Sequence, residues 1–373
     1  MLGKATGVVF ALLIFISSLL GSVFLLFPYT PLAKFFPKQW RFVADRFVGL
    51  WLTFPAALLE KLFGCRFRVT GDLIKKDKAA LIIMNHRTRL DWLFLWNALY
   101  KMDPWLLTTE KISLKADLKK IPGAGWAMSC ASFLFLNRKL VSDNSVIQQI
   151  IEYYAGCGYR YQMLLFPEGT DRGTRATNLS HEFADKNSLS RYHYTLHPRT
   201  AGFNLLLNKM EELNYIDCVY DITLAYNDEK EIVQSELDML REGKLPKLMH
   251  FDVKEYQITE LPKDEKGRSE WLNKLWKTKE DRLREFYVEK KGELTPSGAK
   301  HVWPIETQGV GYTLGFSFWV VGSLVWMHLI TSFLPVQIFV VLATMFFVYT
   351  LRSYGGIEFL IIKWFREHTQ KNN

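Results

Sequence analysis

The sequence predicts an α/β fold, a mixed and largely parallel sheet flanked by helices, with an N-terminal membrane anchor and a C-terminal transmembrane hairpin. Three observations predict it. Between about residues 66 and 300, short apolar runs bounded by turn residues alternate with helical stretches, the pattern of a sheet with helices on its faces. Residues 5–33 carry no charge, and neither do residues 307–351.

The run Ala5–Phe27 is long enough to cross a hydrocarbon core of about 30 Å as a helix. It is longer than the apolar part of a secretory signal, and no small-x-small cleavage site follows it. Residues 1–33 are therefore read as a retained anchor. Phe42–Gly64 is rich in Phe, Trp and Leu but interrupted by Asp45, Arg46 and Pro55. It suits a buried core helix or a helix lying in the bilayer interface with its aromatics at headgroup depth, and residues 34–65 are assigned to the interface. The later uncharged run is about twice one span, and Thr331–Pro335 near its middle reads as a turn. That predicts a two-helix hairpin over residues 301–355 and a tail over 356–373. Lys34, Lys38, Arg41 and Arg46 follow the first span, against Lys4 alone before it. The positive-inside bias puts the α/β region, and the tail with Arg352, Lys363, Arg366 and Lys371, on the cytosolic side.

Within residues 66–300 the expected strands are Ala79–Met84, Ser132–Leu136, Tyr161–Phe166 and Val219–Tyr226, bounded by polar or turn residues. Lys247–Tyr256 alternates like an edge strand. Asp91–Tyr100 and Ser145–Tyr154 read as helices, and the charged Ser269–Tyr287 as a long surface helix. Asp171–Thr195 reads as a long loop carrying Arg172, Arg175, His181, Lys186, Arg191 and His193.

The net charge of +9 suits an anionic partner or plain solubility. No zinc-finger spacing and no basic arm point to nucleic acid, whereas the apolar runs favour a membrane surface and phosphate-bearing substrates. Four scattered cysteines without C-x-x-C pairing argue against a disulfide framework and a structural zinc site.

Two motifs carry chemistry. Asn85-His86-Arg87-Thr88-Arg89-Leu90-Asp91-Trp92 follows directly on a predicted strand, where open α/β sheets place reacting groups. Neutral imidazole is a base suited to taking a hydroxyl proton at pH 7, and a carboxylate on its other nitrogen fixes the tautomer. The i, i+5 spacing puts His86 on the turn and Asp91 in the first turn of the next helix, folded back to reach it. Alone, H-x4-D is a weak signal, and a surface His would explain it. Phe166-Pro167-Glu168-Gly169-Thr170 also ends a strand. It implies a rigid turn with exposed backbone N–H groups beside a carboxylate, able to hold a polyol or phosphate, or an ordinary surface turn.

Together and in this order, the two motifs resemble the first and third signatures of the glycerolipid acyltransferase family. Ser132-Phe133-Leu134-Phe135-Leu136-Asn137-Arg138 is similar to the second signature, with Ser in place of Gly. The fourth signature is not recognisable in Val219–Tyr226. NHRTRLDW, FPEGTD, EKISLK (110–115), PGAGWAM (122–128) and HPRTAGF (197–203) resemble the lysocardiolipin and lysophosphatidylinositol acyltransferase branch. Asp171 stands where most relatives have Arg, with Arg172 one place later. The resemblance implies acyl-CoA as co-substrate, a lysophospholipid as acceptor, no cofactor and no metal. It implies residence in the endoplasmic reticulum membrane, with residues 66–300 as the catalytic domain. It makes His86 the base and Asp91 its partner, and it turns Arg138, Glu168, Gly169 and Thr170 to the acceptor. Arg199 is a further phosphate contact or a solvated loop arginine.

Other chemistries lack their motifs: no G-x-S-x-G elbow, Walker A, G-x-G-x-x-G after a strand or H-E-x-x-H occurs. His193 and His197 stand at helical spacing but have no third ligand. An acyltransferase that makes phosphatidic acid and a silent lipid-binding protein of the same fold remain as alternatives. The intact His86, Asp91 and Glu168 favour an enzyme.

Overall fold

A computed structural model describes the chain except residues 1, 138, 228, 230–231, 290–293, 299–300, 307–309 and 373. The described strands are β1 (Arg66–Gly71), β2 (Ala80–Met84), β3 (Glu110–Lys115), β4 (Leu134–Leu136), β5 (Gln162–Leu165), β6 (Cys218–Tyr226), β7 (Leu248–Gln257) and β8 (His301–Trp303). The chain divides into two compact units, each of which is built from non-contiguous segments.

The first unit holds residues 1–9, 58–106 and 161–308. Six strands run in the order β5-β2-β6-β7-β1-β8. β2 is parallel to both β5 and β6, and β1 is parallel to β7, while β6–β7 and β1–β8 are antiparallel. Ile82 of β2 lies opposite Leu164 on one side and Tyr220 on the other. Every residue of β2 and β6 is buried, which is why both read as near-continuous apolar runs. The mixed, largely parallel sheet is the one the sequence predicts.

Several expectations need correction. β7 is not an edge strand, because β6 and β1 flank it. Its Asp252 is buried and accepts from Thr70 Oγ1 at 2.7 Å, Arg282 Nη2 at 2.7 Å and Ser297 Oγ at 2.6 Å. The strands β1, β3 and β8 escape the sequence pattern, β1 and β3 because charged residues interrupt them and β8 because it is short. Residues 301–303, expected with the hairpin, pair with β1 as β8. The helix Glu265–Arg284 is not merely superficial. Leu272, Trp276, Lys279, Glu280 and Leu283 form one buried face at helical spacing. Finally, the supposed loop after residue 171 contains the amphipathic helix Thr174–Lys186, which buries Ser180 and Ala184.

The second unit holds residues 10–57, 107–160 and 309–373. It contains β3 and β4, paired in parallel, and the helices Ala124–Cys130 and Leu140–Cys157. Ser132, in the place of the family glycine, has φ +55° in the left-handed region that favours glycine. Its hydroxyl accepts from Arg41 Nη1 at 2.9 Å, a compensation that glycine lacks. Among the described residues four helices are long and apolar enough to cross a membrane: Lys4–Tyr29, Pro37–Phe63, Val310–Ser332 and Leu334–Tyr354. In Pro37–Phe63, 72% of the apolar window is buried inside the protein, against 11% and 17% in the last two. Protein contacts therefore cover most of Pro37–Phe63, while the last two present bare apolar surface. Phe333, at φ −130°, separates them, at the turn expected from Thr331–Pro335. The tail forms the helix Ile357–Asn372.

A buried ion pair ties the helix Glu265–Arg284 to β6: Lys279 Nζ donates to Asp221 Oδ1 at 2.6 Å and to Ile222 O at 2.7 Å. Asp221→Ala strands that ammonium and is expected to lower stability by about 3–5 kcal/mol. Asp281→Ala, which breaks the exposed pairs with Lys277 and Arg284, costs about 1 kcal/mol or less. Thermal unfolding of the detergent-solubilised protein compares them, and equal midpoints would refute the ranking.

Candidate active site

The carboxyl ends of β2 and β5 lie side by side because the strands are parallel neighbours. The turns that leave them therefore carry His86 and Glu168 to the same edge of the sheet, where α/β folds gather reacting groups. Asn85 anchors the first turn. Its Nδ2 donates to Leu224 O at 3.0 Å, and its Oδ1 accepts from Leu224 N at 2.8 Å, continuing the ladder to β6 beyond the end of β2.

Asp91 is the first residue of the helix Asp91–Met102 and is fully buried. The bonds it accepts bend it back toward His86. Oδ2 accepts from His86 Nδ1 at 2.9 Å and Thr88 N at 3.0 Å. Oδ1 accepts from Thr88 Oγ1 at 2.9 Å and from the Tyr226 hydroxyl. An ionised carboxylate only accepts, so Nδ1 carries the imidazole proton and the lone pair lies on Nε2. No described residue hydrogen-bonds Nε2. The ring is 14% exposed, and Phe166 stacks on it with centroids 4.0 Å apart. A held imidazole with a free basic nitrogen can remove a proton from a hydroxyl.

Glu168 is 2% exposed, and both its oxygens accept hydrogen bonds from the protein. Oε1 accepts from His86 N and Trp276 Nε1, each at 3.2 Å, and Oε2 from Leu196 N at 3.1 Å. Burial is the main cause that pushes its carboxyl up to about 7, against the pull of those donors. Its place is beneath the His86 backbone, which is also clamped from Arg172 N to His86 O at 2.9 Å.

The remaining turn residues fall as follows. Gly169 has φ +73°, and its N–H donates to Phe166 O at 2.9 Å, so that group is not exposed for a ligand. A Cβ there would also press on Arg199 Cδ at 3.2 Å. Thr170 Oγ1 donates to Asp171 Oδ1 at 3.4 Å. Arg199 is exposed. Arg138 lies outside the described residues. Of the basic residues after 171, Arg191 pairs with Asp185 at 2.6 Å, and the His181 ring is bonded to Tyr192 O at 2.8 Å. His197, the partner considered for His193, stacks on Tyr192 and bonds Ser180 Oγ through Nδ1 at 3.0 Å.

The sequence reading missed Thr88, Tyr226, Trp276 and Glu280. Glu280 accepts from Tyr194 N and Thr195 N, and so fixes the segment that carries Leu196 to Glu168. Only Thr88, inside the H-x4-D motif, offered a signal.

Residues 66–221 match the family model "Acyltransferase", and residues 239–309 match "Acyltransferase C-terminus". The chain belongs to the glycerolipid acyltransferase family. It is 43% identical to lysophosphatidylinositol acyltransferase 10 of Caenorhabditis elegans, over 88% of this chain and 85% of that protein. It is 39% identical to lysocardiolipin acyltransferase 1 of Mus musculus, over 96% and 95%. The 2-acyl-1-lysophosphatidylinositol acyltransferase of Saccharomyces cerevisiae is 27% identical over 56% and 61%. Within the acyltransferase family this chain thus falls in the branch that its motifs resemble.

In this acyltransferase Glu168→Ala leaves His86 N, Leu196 N and Trp276 Nε1 without their acceptor. The expected loss is about 1–3 kcal/mol of stability for each donor left unsatisfied, together with a fall in kcat. KM for donor and acceptor should move little. Steady-state kinetics varying each substrate checks this, and a selective rise in acceptor KM would return Glu168 to the headgroup.

Proposed function

We propose that this acyltransferase moves a fatty acyl group from acyl-CoA to the free hydroxyl of a lysophospholipid, with His86 as general base and Asp91 as its orienting partner. The observation that carries the reading is the His86 Nδ1 to Asp91 bond, which leaves Nε2 basic and unpaired among the described residues. Nε2 takes the hydroxyl proton while the oxygen attacks the thioester carbonyl. The C–S bond breaks, and the imidazolium returns the proton to the departing thiolate. Asp91 stabilises the imidazolium through its negative charge. Tyr226 and Thr88 position Asp91 and touch no substrate.

The acceptor class follows the relatives' names: lysophosphatidylinositol and lysocardiolipin are proposed to be acylated at least as well as lysophosphatidic acid. The test is a panel of these lysolipids offered separately with one labelled acyl-CoA to the purified chain. Acylation of lysophosphatidic acid alone would make it a biosynthetic phosphatidic-acid enzyme instead. In the same assay His86→Ala should lose about 10²–10⁴-fold. Asp91→Asn should be comparably severe, because an amide supports the wrong tautomer. Tyr226→Phe should lose about tenfold in kcat, the value of one hydrogen bond to a charged group. More than about a tenth of wild-type turnover in a folded His86→Ala protein would end the assignment.

The proposed setting is the endoplasmic reticulum membrane, with three spans, a lumenal N-terminus, and the catalytic region and C-terminus cytosolic. Lys34 to Arg46 after the first span and the even-numbered C-terminal hairpin support this orientation. The heavily buried Pro37–Phe63 is left out of the spans. Protease treatment of sealed microsomes should remove a C-terminal tag and spare an N-terminal one. A protected C-terminal tag would refute the orientation.

A further inference from the structure

The motif from Phe166 to Thr170 brings one more side chain to the edge of the sheet, and the acyl-transfer reading gives it no part. Phe166 is the residue after β5, whose last pair with β2 joins Leu165 to Ile83. Because the two strands are parallel, the first residue past β5 comes up beside the turn that carries His86. Its ring stacks on the imidazole with centroids 4.0 Å apart and planes 22° from parallel. Two neutral aromatic rings prefer an offset or edge-on arrangement, with centroids about 4.5–7 Å apart. A near-parallel stack this close suits a positive ring set over a negative π face. The charged side chain bonded to the imidazole is Asp91, which holds Nδ1 at 2.9 Å. Glu168 accepts from the His86 amide at 3.2 Å, Arg172 N donates to its carbonyl at 2.9 Å, and Arg87 adjoins it in sequence.

We propose that Phe166 is a positioning residue whose π face stabilises the imidazolium that His86 forms during acyl transfer; this rests on the reading of His86 as the general base. Before transfer the imidazole is neutral, and the stack contributes only contact. When Nε2 takes the hydroxyl proton, the ring gains a full positive charge, shared between its two N–H groups. The attraction of that charge for the π face then adds to its attraction for Asp91. When the proton passes on to the departing thiolate, the ring is neutral again and the added attraction is gone. Only interactions stronger in the transition state than in the ground state speed a reaction, and this one switches on with the charge. Asp91 and Phe166 divide the task by direction, one acting at the ring edge and the other at its face. Neither occupies Nε2, which stays open to the substrate.

The test uses the full chain in mixed micelles and reads acyl transfer in single turnovers with enzyme in excess. Phe166→Leu, which keeps an apolar cover without a π face, should slow transfer about three- to tenfold, the size of a partly desolvated cation–π contact. A second set of proteins carries phenylalanines with one, two or three ring fluorines at position 166. Fluorine drains the π face while nearly keeping the shape of the ring, so packing and folding are preserved. Transfer rates in this series should fall stepwise between the wild type and Phe166→Leu. The acidic limb of the pH–rate profile should move stepwise to lower pH, because a less stabilised imidazolium makes His86 a weaker base. KM for both substrates should stay unchanged. Rates and limbs that ignore fluorination overturn the proposal, and a slow Phe166→Leu beside them would make the ring a mere cover. A limb that moves to higher pH also overturns it, since opening the imidazole to water favours the charged form. A wild type that acylates lysolipids, an inactive His86→Ala and no response to fluorine would sink the role of Phe166 and leave the base standing. A wild type that acylates no lysolipid, or a folded His86→Ala that keeps more than about a tenth of the turnover, sinks the reading of His86 and this proposal with it.

Discussion

Asp91 is fully buried, and a buried carboxylate must be met by donors. Four donors meet it: an imidazole, a backbone amide, a threonine hydroxyl and a tyrosine hydroxyl. Meeting that demand fixes much of the surrounding structure. Thr88 must sit in the turn, the helix Asp91–Met102 must begin where it does, and β6 must extend to Tyr226. The helix N-terminus adds its own favourable field. The geometry of the proposed catalytic pair is thus a by-product of satisfying one buried charge, with the imidazole as one of four donors.

Glu168 repeats the arrangement one turn away with a different target. It grips the His86 main chain, whereas Asp91 grips the ring. Backbone and side chain of His86 are consequently held by separate carboxylates, delivered by separate motifs. Trp276 and Glu280, on the buried face of the helix Glu265–Arg284, complete the support. That face couples the second matched family region to the first, so residues far along the chain support the edge that carries His86.

How much of this was legible depends on whether the information is local. His86 and Asp91 lie five residues apart, so their spacing, the strand before them and the helix after them could be read directly. The apolar helices and the buried strands β2, β5 and β6 were legible for the same reason: each is a local apolar run, which in the strands follows from burial on both faces. Tyr226 was not, because it reaches Asp91 only through the neighbouring of β2 and β6, which no local pattern encodes. Glu168 was found, but not its bonds to His86 N, Leu196 N and Trp276 Nε1, because sequence places a carboxylate on a turn without telling which way the turn presents it. The Thr174–Lys186 helix was read as loop because its charged and small residues hide a narrow buried stripe, Ser180 and Ala184. β7 looked like an edge because its polar residues alternate, yet β6 and β1 pair with it on both sides, and its buried Asp252 bonds Arg282.

The burial of Glu168 also makes folding a proton-consuming event. Its carboxyl has an ordinary value of 4.5 in the exposed chain and about 7 in the folded one. Between those values the folded state holds more proton than the unfolded state. The slope of stability with pH, set by protons bound unfolded minus folded, is therefore negative for this group. Its contribution is fullest below the lower value, declines as pH rises through the window, and is level above about 7. Near neutrality this carboxyl draws a fraction of a proton from its surroundings on refolding, against the release from His250, which burial lowers to about 4. The heat measured for refolding accordingly carries the buffer's ionisation enthalpy, so phosphate and Tris would report different apparent enthalpies for the same structural change.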